Sequence, residues 1–195
     1  MRQLRTLAVA ATSAVLIMGQ AVAAFGCEQH QDEVSVTDPA RSATAKYYSL
    51  TDAEKAGYSI LADSAGITCI AEPHMGAMGV HYVKADLVKN PAIDAKHPEA
   101  LVYAPDGDGG LHLAALEYVV IKSDWDANQP QPPSLGVGSR DTAAPPMLFG
   151  QGFNFTDAPN RYGLPPFYSL HAWVWKDNPA GPFEMWNPSV HCDET

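Results

Sequence analysis

Basic residues are scarce in this chain. Twelve Lys and Arg stand against 22 Asp and Glu in 195 residues, a net charge of −10. None of the cations cluster, so the patches that grip phosphate backbones or anionic lipid are missing, and nucleic acid is excluded as a partner. Cysteine is also sparse: the three present, Cys27, Cys69 and Cys192, form no C-x-x-C pair, which removes the common thiolate zinc sites. There is no G-x-S-x-G, so a serine-hydrolase elbow finds no support. No internal repeat is present. The longest apolar run, Leu7 to Met18, is broken by Thr12 and Ser13 and is shorter than the roughly 20 residues of a transmembrane helix.

That run belongs to a leader. Arg2 and Arg5 precede it, and Ala21-Val22-Ala23 follows with small residues placed for cleavage. This is the layout of a secretory signal peptide over residues 1–24. Loss of the two arginines takes the net charge from −10 to −12. Lipoprotein processing at Cys27 is the lesser alternative. An exported chain meets an oxidising compartment, and an odd cysteine count leaves one thiol over. The expected disulfide is Cys69–Cys192, which would tie a strand to the C-terminal tail.

Residues 25–38 read as a polar arm and 39–195 as one globular domain, a length that suits a single core. Asp38-Pro39 reads as an N-cap and first helical position. Thr51-Asp52-Ala53-Glu54 reads as a capping box that restarts a helix, and Gly57 as its end. From Ile67 the period changes to two. Ile67–Ala71, Val80–Val83, Ala100–Ala104, Leu111–Ile121, Pro146–Phe149 and Phe167–Trp175 read as strands. Pro105-Asp106-Gly107-Asp108-Gly109-Gly110 has the composition of a hairpin turn; its likeness to a calcium loop fails for want of flanking helices. Residues 124–146 read as a long irregular loop, able to serve as a lid. The fold class is therefore α+β, mostly antiparallel β (a barrel or a sandwich), with one or two N-terminal helices.

Three strands each carry one metal-capable side chain among apolar neighbours: His81, Glu117 and His171. By alternation, Glu117 shares a face with Leu113, Ala115 and Val119, and His171 shares one with Trp173 and Trp175. A carboxylate on an apolar face is unfavourable unless something pairs with it. Arg140, Arg161, Lys122 or a tyrosine hydroxyl can do so, and so can a metal. Two His and one carboxylate suit a divalent transition metal (Fe, Mn, Cu or Zn) with open positions. His74, in the loop Pro73-His74-Met75-Gly76-Ala77-Met78-Gly79, is a candidate fourth ligand. His112 projects from the face opposite Glu117 on the same strand and is set aside; His191, His97 and His30 read as surface residues. Trp173, Trp175 and Tyr82 are the aromatic candidates for lining a small-molecule pocket.

The phrases Met78-Gly79-Val80-His81-Tyr82-Val83, Pro98-Glu99-Ala100-Leu101-Val102-Tyr103, Leu116-Glu117-Tyr118, His171-Ala172-Trp173-Val174-Trp175-Lys176-Asp177-Asn178-Pro179 and Trp186-Asn187-Pro188 resemble those of an uncharacterised family of exported bacterial proteins. The resemblance runs from about residue 40 to 192 and contains all three candidate ligands except His74 as a fourth. It implies export and brings no activity with it. The chain lacks the H-x-H of classical cupins. Three readings follow: a mononuclear metal site that binds or transforms a small molecule, with the metal as Lewis acid or redox centre if catalytic; a metal-free binding module with a Trp-rich pocket; or a structural envelope protein whose His and Glu form an internal network. The residue pattern decides neither an enzyme activity nor an oligomeric state.

Overall fold

The structure is a computed structural model and describes residues 35–129 and 144–192, within the unit Val34–Thr195. The expected leader and the expected arm up to residue 34, with Cys27 and His30, and Arg140 lie outside the described residues.

Helix α1 (Asp38–Thr44) leads through a 3-10 turn (Ala45–Tyr48) into α2 (Leu50–Lys55). Pro39 occupies the first turn of α1, where its missing N–H leaves no bond unmade. Both expected caps are displaced. Thr37 is the N-cap of α1, while the Asp38 carboxylate turns back to accept from Ser35 N–H at 2.8 Å. Ser49, not Thr51, caps α2 by accepting from Asp52 N–H at 3.3 Å. The hydroxyl must precede the donor by three residues, and the 3-10 turn sets that phase. Gly57, at φ 93°, ends the segment as expected.

The strands are β1 (Ser59–Ile60), β2 (Cys69–Glu72), β3 (Gly76–Val83), β4 (Ala100–Pro105), β5 (Leu111–Ile121), β6 (Met147–Leu148), β7 (Gln151–Gly152), β8 (Asn154–Thr156) and β9 (Phe167–Ala172). The main sheet runs β1-β3-β4-β5-β9-β8, with β2 also on β3; β6 and β7 form a separate ribbon, and every pair is antiparallel. The sheet is sandwich-like and not a closed barrel. Two short helices, α3 (Ala85–Val88) and α4 (Lys122–Asn128), flank its mouth. The expected loop at 124–146 therefore begins as helix, and residues 130–143 of it lie outside the described residues.

One face of the sheet carries Tyr82, Leu101, Tyr103, Leu116, Tyr118 and Leu170, clustered with Ala40, Ala53 and Tyr58 of the N-terminal segment. Each side chain of this size contributes about 1.5–3 kcal/mol on burial. The buried phenols keep their polar ends satisfied: Tyr103 donates to Tyr47 O at 2.7 Å, Tyr58 to Pro98 O and Tyr118 to Ala95 O, both at 2.8 Å. The other face is lined by smaller residues, Val102, Ala104, Ala114 and Ala115, beneath Trp173 and Val190.

The C-terminal tail crosses this second face. Ala77 and Asn187 form an isolated bridge. Gly76, at φ 92°, lets the tail approach, since a Cβ there would stand 2.1 Å from Asn187 O. The Cys69–Cys192 disulfide, with Cα atoms 5.7 Å apart, closes the tail onto β2 as expected.

Two irregularities decide which side chains share a face. Val102 pairs with Ala115 but Tyr103 with Leu113, so Ala114 is a bulge. Leu113 is thereby moved to the helix-covered face and does not share Glu117's face, contrary to simple alternation. The bulge also leaves the Ala114 carbonyl free of the ladder. It accepts from both Trp175 N–H at 3.0 Å and Lys176 N–H at 3.1 Å. That capture pulls the chain out of β9 after Ala172, three residues earlier than the apolar pattern indicates.

Glu99 plays a similar part at the start of β4. Continuing the register from Ala100↔Glu117 would set Pro98 opposite Val119. The Pro98 carbonyl instead accepts from Tyr58, and the Glu99 carboxyl accepts from Val119 N–H at 3.0 Å. Burial, more than the neighbouring acids, pushes this carboxyl from 4.5 up to about 8.

Two outcomes follow for stability. Below about pH 4.5 folded and unfolded chains both hold the Glu99 proton; above it the unfolded chain releases it while the folded one retains it. Stability contributed by Glu99 is thus lost as pH rises from 4.5 through about 8, and Glu99→Gln flattens this slope in chelator-treated protein followed by urea unfolding. The loop closed by the disulfide spans 123 residues. Its removal in the Cys69→Ser/Cys192→Ser double variant lowers the unfolding free energy by about 2–5 kcal/mol, measured the same way.

Candidate metal centre

His81 lies on β3, Glu117 on β5 and His171 on β9. Glu117 and His171 are directly opposite in the β5–β9 register. β3 is separated from β5 by β4, whose residues facing this side include Ala100, paired with Glu117, and Val102, paired with both His81 and Ala115. A flat sheet would hold β3 and β9 about 14 Å apart at three strand spacings. The sheet's curvature and the small residues Ala100 and Ala115 let the rings fold over β4 and meet. His81 Nε2 is 3.2 Å from His171 Nε2 and 3.3 Å from Glu117 Oε2; His171 Nε2 is 4.0 Å from Glu117 Oε1. One ligand atom from each of the three lies within 4.8 Å of the others. Such a group is close enough to bind a metal.

The surroundings are dry. The His81 and His171 side chains are 3 and 2 % exposed and Glu117 is 14 % exposed. Burial pushes the Glu117 carboxyl up to about 7 and the His81 imidazole down to about 4. Burial, then the neighbouring His81, drives His171 well below its ordinary value. The imidazoles are therefore neutral at pH 7, the form that ligates metals. Both Nδ1 atoms are buried without a hydrogen-bond partner. The Gly79 carbonyl is close enough to His81 to act on the ring, but outside hydrogen-bonding geometry.

Among the described residues, the two cations expected as partners of Glu117 are engaged elsewhere. Arg161 forms a two-pronged bond to Asp63 Oδ2 at 2.8 and 3.1 Å, and Lys122 pairs with Asp126. Glu117 thus sits on its apolar face with two neutral imidazoles and the Ser169 hydroxyl, whose interaction offsets part of the effect of burial.

Other expected site residues are placed apart from this group. His74, in the β2–β3 turn with φ 69°, lines a separate cleft with Glu72, His191 and Cys192. Tyr82 points to the face opposite His81 and packs against Tyr103, ring centroids 5.3 Å apart. Trp173 does flank the group, its ring 5.6 Å from His171, with Nε1 donating to Glu184 O. Trp175, beyond the end of β9, crosses to the helix side, where Nε1 donates to Thr44 Oγ1 at 3.2 Å and Arg41 covers the ring at 4.6 Å. Neither indole lines the cavity described next. His112 and His97 are exposed and pair with Asp106 and Asp94.

A cavity of about 630 Å³ opens onto His81 and Glu117. Its walls are Leu61, Val83, Val119, Ile121, Leu164 and Phe167, with Tyr162 beside them and Lys89, Ser123 and Asp124 among the polar lining. Burial, then the Glu117 charge, raises the Tyr162 phenol. Leu61, Tyr162 and Leu164 lie outside the strands, and no periodicity marks them as neighbours. The Asp63–Arg161 pair and Ser64 N–H to Arg161 O at 2.9 Å hold their two loops together.

The fold and site define a sandwich-like antiparallel β protein with a buried two-His, one-Glu cluster at the foot of an apolar cavity. No protein family, curated protein or solved structure matches the chain.

The unpartnered Nδ1 atoms give this cluster an energetic signature. Replacing every member of a buried polar cluster by apolar groups of similar shape is close to neutral or stabilising, whereas removing one member alone is costly. The His81→Leu/Glu117→Leu/His171→Phe triple variant, unfolded with urea in the presence of chelator, is expected at or above the wild-type unfolding free energy, and His171→Phe alone about 1–3 kcal/mol below it, since it removes the partner of His81 Nε2.

Proposed function

We propose that the protein holds a single divalent transition metal between His81 Nε2, His171 Nε2 and the Glu117 carboxylate, and uses it to bind or transform a small molecule in the adjoining cavity. The 3.2 Å separation of the two Nε2 atoms carries this reading. Ligands about 2.0–2.1 Å from one ion, at tetrahedral to right angles, stand about 2.9–3.4 Å apart. An internal hydrogen-bond network is the weaker account, because among the described residues it gives the buried carboxylate no cation, Arg161 and Lys122 being held by Asp63 and Asp126.

Two imidazoles and one carboxylate leave coordination positions open, and the cavity reaches the cluster from the His81 and Glu117 side. A metal there would supply Lewis-acid or redox chemistry. We further take the protein to be exported after removal of residues 1–24. The disulfide is compatible with that, and no helix among the described residues is long and apolar enough to cross a membrane.

Untagged protein, stripped with chelator and dialysed against Co²⁺ or Zn²⁺, should take up one equivalent. His81→Ala and Glu117→Ala should each weaken uptake by at least about 100-fold, more than loss of an outer-shell partner does. Absence of stoichiometric uptake, or uptake unchanged in both variants, contradicts the reading.

A further inference from the structure

Charge around the cavity limits what can occupy it. With a divalent ion in place, Glu117 and two neutral imidazoles leave the centre with one net positive charge. The cluster is buried, and the cavity beside it is walled by Val83, Val119, Ile121 and Phe167. An uncompensated charge in such surroundings is strongly unfavourable. Among the described residues, the charged groups that line the cavity besides Glu117 are Lys89 and Asp124, the first exposed and the second half-buried. No guanidinium of the described residues lines it, Arg161 being held by Asp63, so the ion itself is the deep anchor for an anion. A dianion would over-compensate the centre, and an ammonium would add to its charge. A neutral donor would leave the charge standing.

The geometry points to a specific ligand class: we infer that the site takes a monoanionic oxygen donor with an apolar body, such as a monocarboxylate, its head on the open coordination position and its body along Val83, Val119, Ile121 and Leu164. This rests on the metal reading above. The volume of about 630 Å³ lies within the range of small-molecule pockets.

The test uses the full chain loaded with Co²⁺, whose visible absorption reports the inner coordination. Hexanoate, octanoate, decanoate, decanol and decylammonium are titrated separately. Carboxylates should shift the spectrum and tighten about fourfold for each added CH₂, the gain for burying a methylene. Decanol should bind at least tenfold more weakly than decanoate, and decylammonium should leave the spectrum unchanged. Val88→Trp and, independently, Leu164→Trp narrow the cavity at half-buried wall positions. Either folded variant should keep its Co²⁺ and lose decanoate affinity at least tenfold. No Co²⁺ uptake overturns both the metal reading and this one. Uptake with no chain-length dependence, with decanol matching decanoate, or with both Trp variants binding decanoate normally, overturns this one alone.

Discussion

The register of four antiparallel strands is the constraint on which the rest depends. His81, Glu117 and His171 come from β3, β5 and β9, and one residue of slip in any of them would turn its ligand to the helix-covered face. The register is held by the burial of that other face, where Tyr82, Leu101, Leu116, Tyr118 and Leu170 pack against the N-terminal helices. The apolar core therefore orients the polar cluster. Tyr47, Tyr58 and Tyr103 matter to the site without touching it, because their packing and hydrogen bonds fix which way each strand faces.

The cluster face trades stability for a cavity. Its strand residues are small over the middle of the sheet, Ala100, Val102 and Ala115, and this leaves room above β4 for two imidazoles and a carboxylate to converge. The result is three polar groups in a dry environment, two unpartnered ring nitrogens and a carboxylate whose neighbouring cations are committed to Asp63 and Asp126. Groups arranged this way contribute little to folding. Polar groups left unsatisfied in a core concentrate at functional sites. The Asp63–Arg161 pair serves the site twice: it keeps Arg161 from pairing with Glu117, and it joins the loops that supply Leu61, Tyr162 and Leu164 to the cavity wall.

Much of the strand set was legible from period-two patterning, because long half-buried strands such as β5 print that period on the chain. The hairpin at Asp106 was legible from its glycines, and the Cys69–Cys192 pair from an odd cysteine count and the apolar context of Cys69. The short strands β1, β7 and β8 were not, since two or three residues cannot display a period. Ser49 was passed over as a cap because Thr51 starts an equally good box, and only the 3-10 turn before it sets the phase. Trp175 was misassigned because alternation holds only while a strand continues. β9 stops at Ala172 when Ala114 O captures the next segment, and that carbonyl is available only because of a bulge that no residue type announces.

The sequence by itself determined the chemistry available: one carboxylate and two imidazoles, each central in an apolar strand, in a chain with few cations and none clustered. Those are properties of composition and of local alternation, and they hold whatever the strands do next. The tertiary structure alone decided that the three meet, that His74, Tyr82 and Trp175 do not join them, and that an aliphatic cavity opens beside them. Meeting requires a particular strand order, a particular register and a sheet that folds over β4, and these arise from long-range packing between segments up to about ninety residues apart in the chain, beyond the reach of any local pattern.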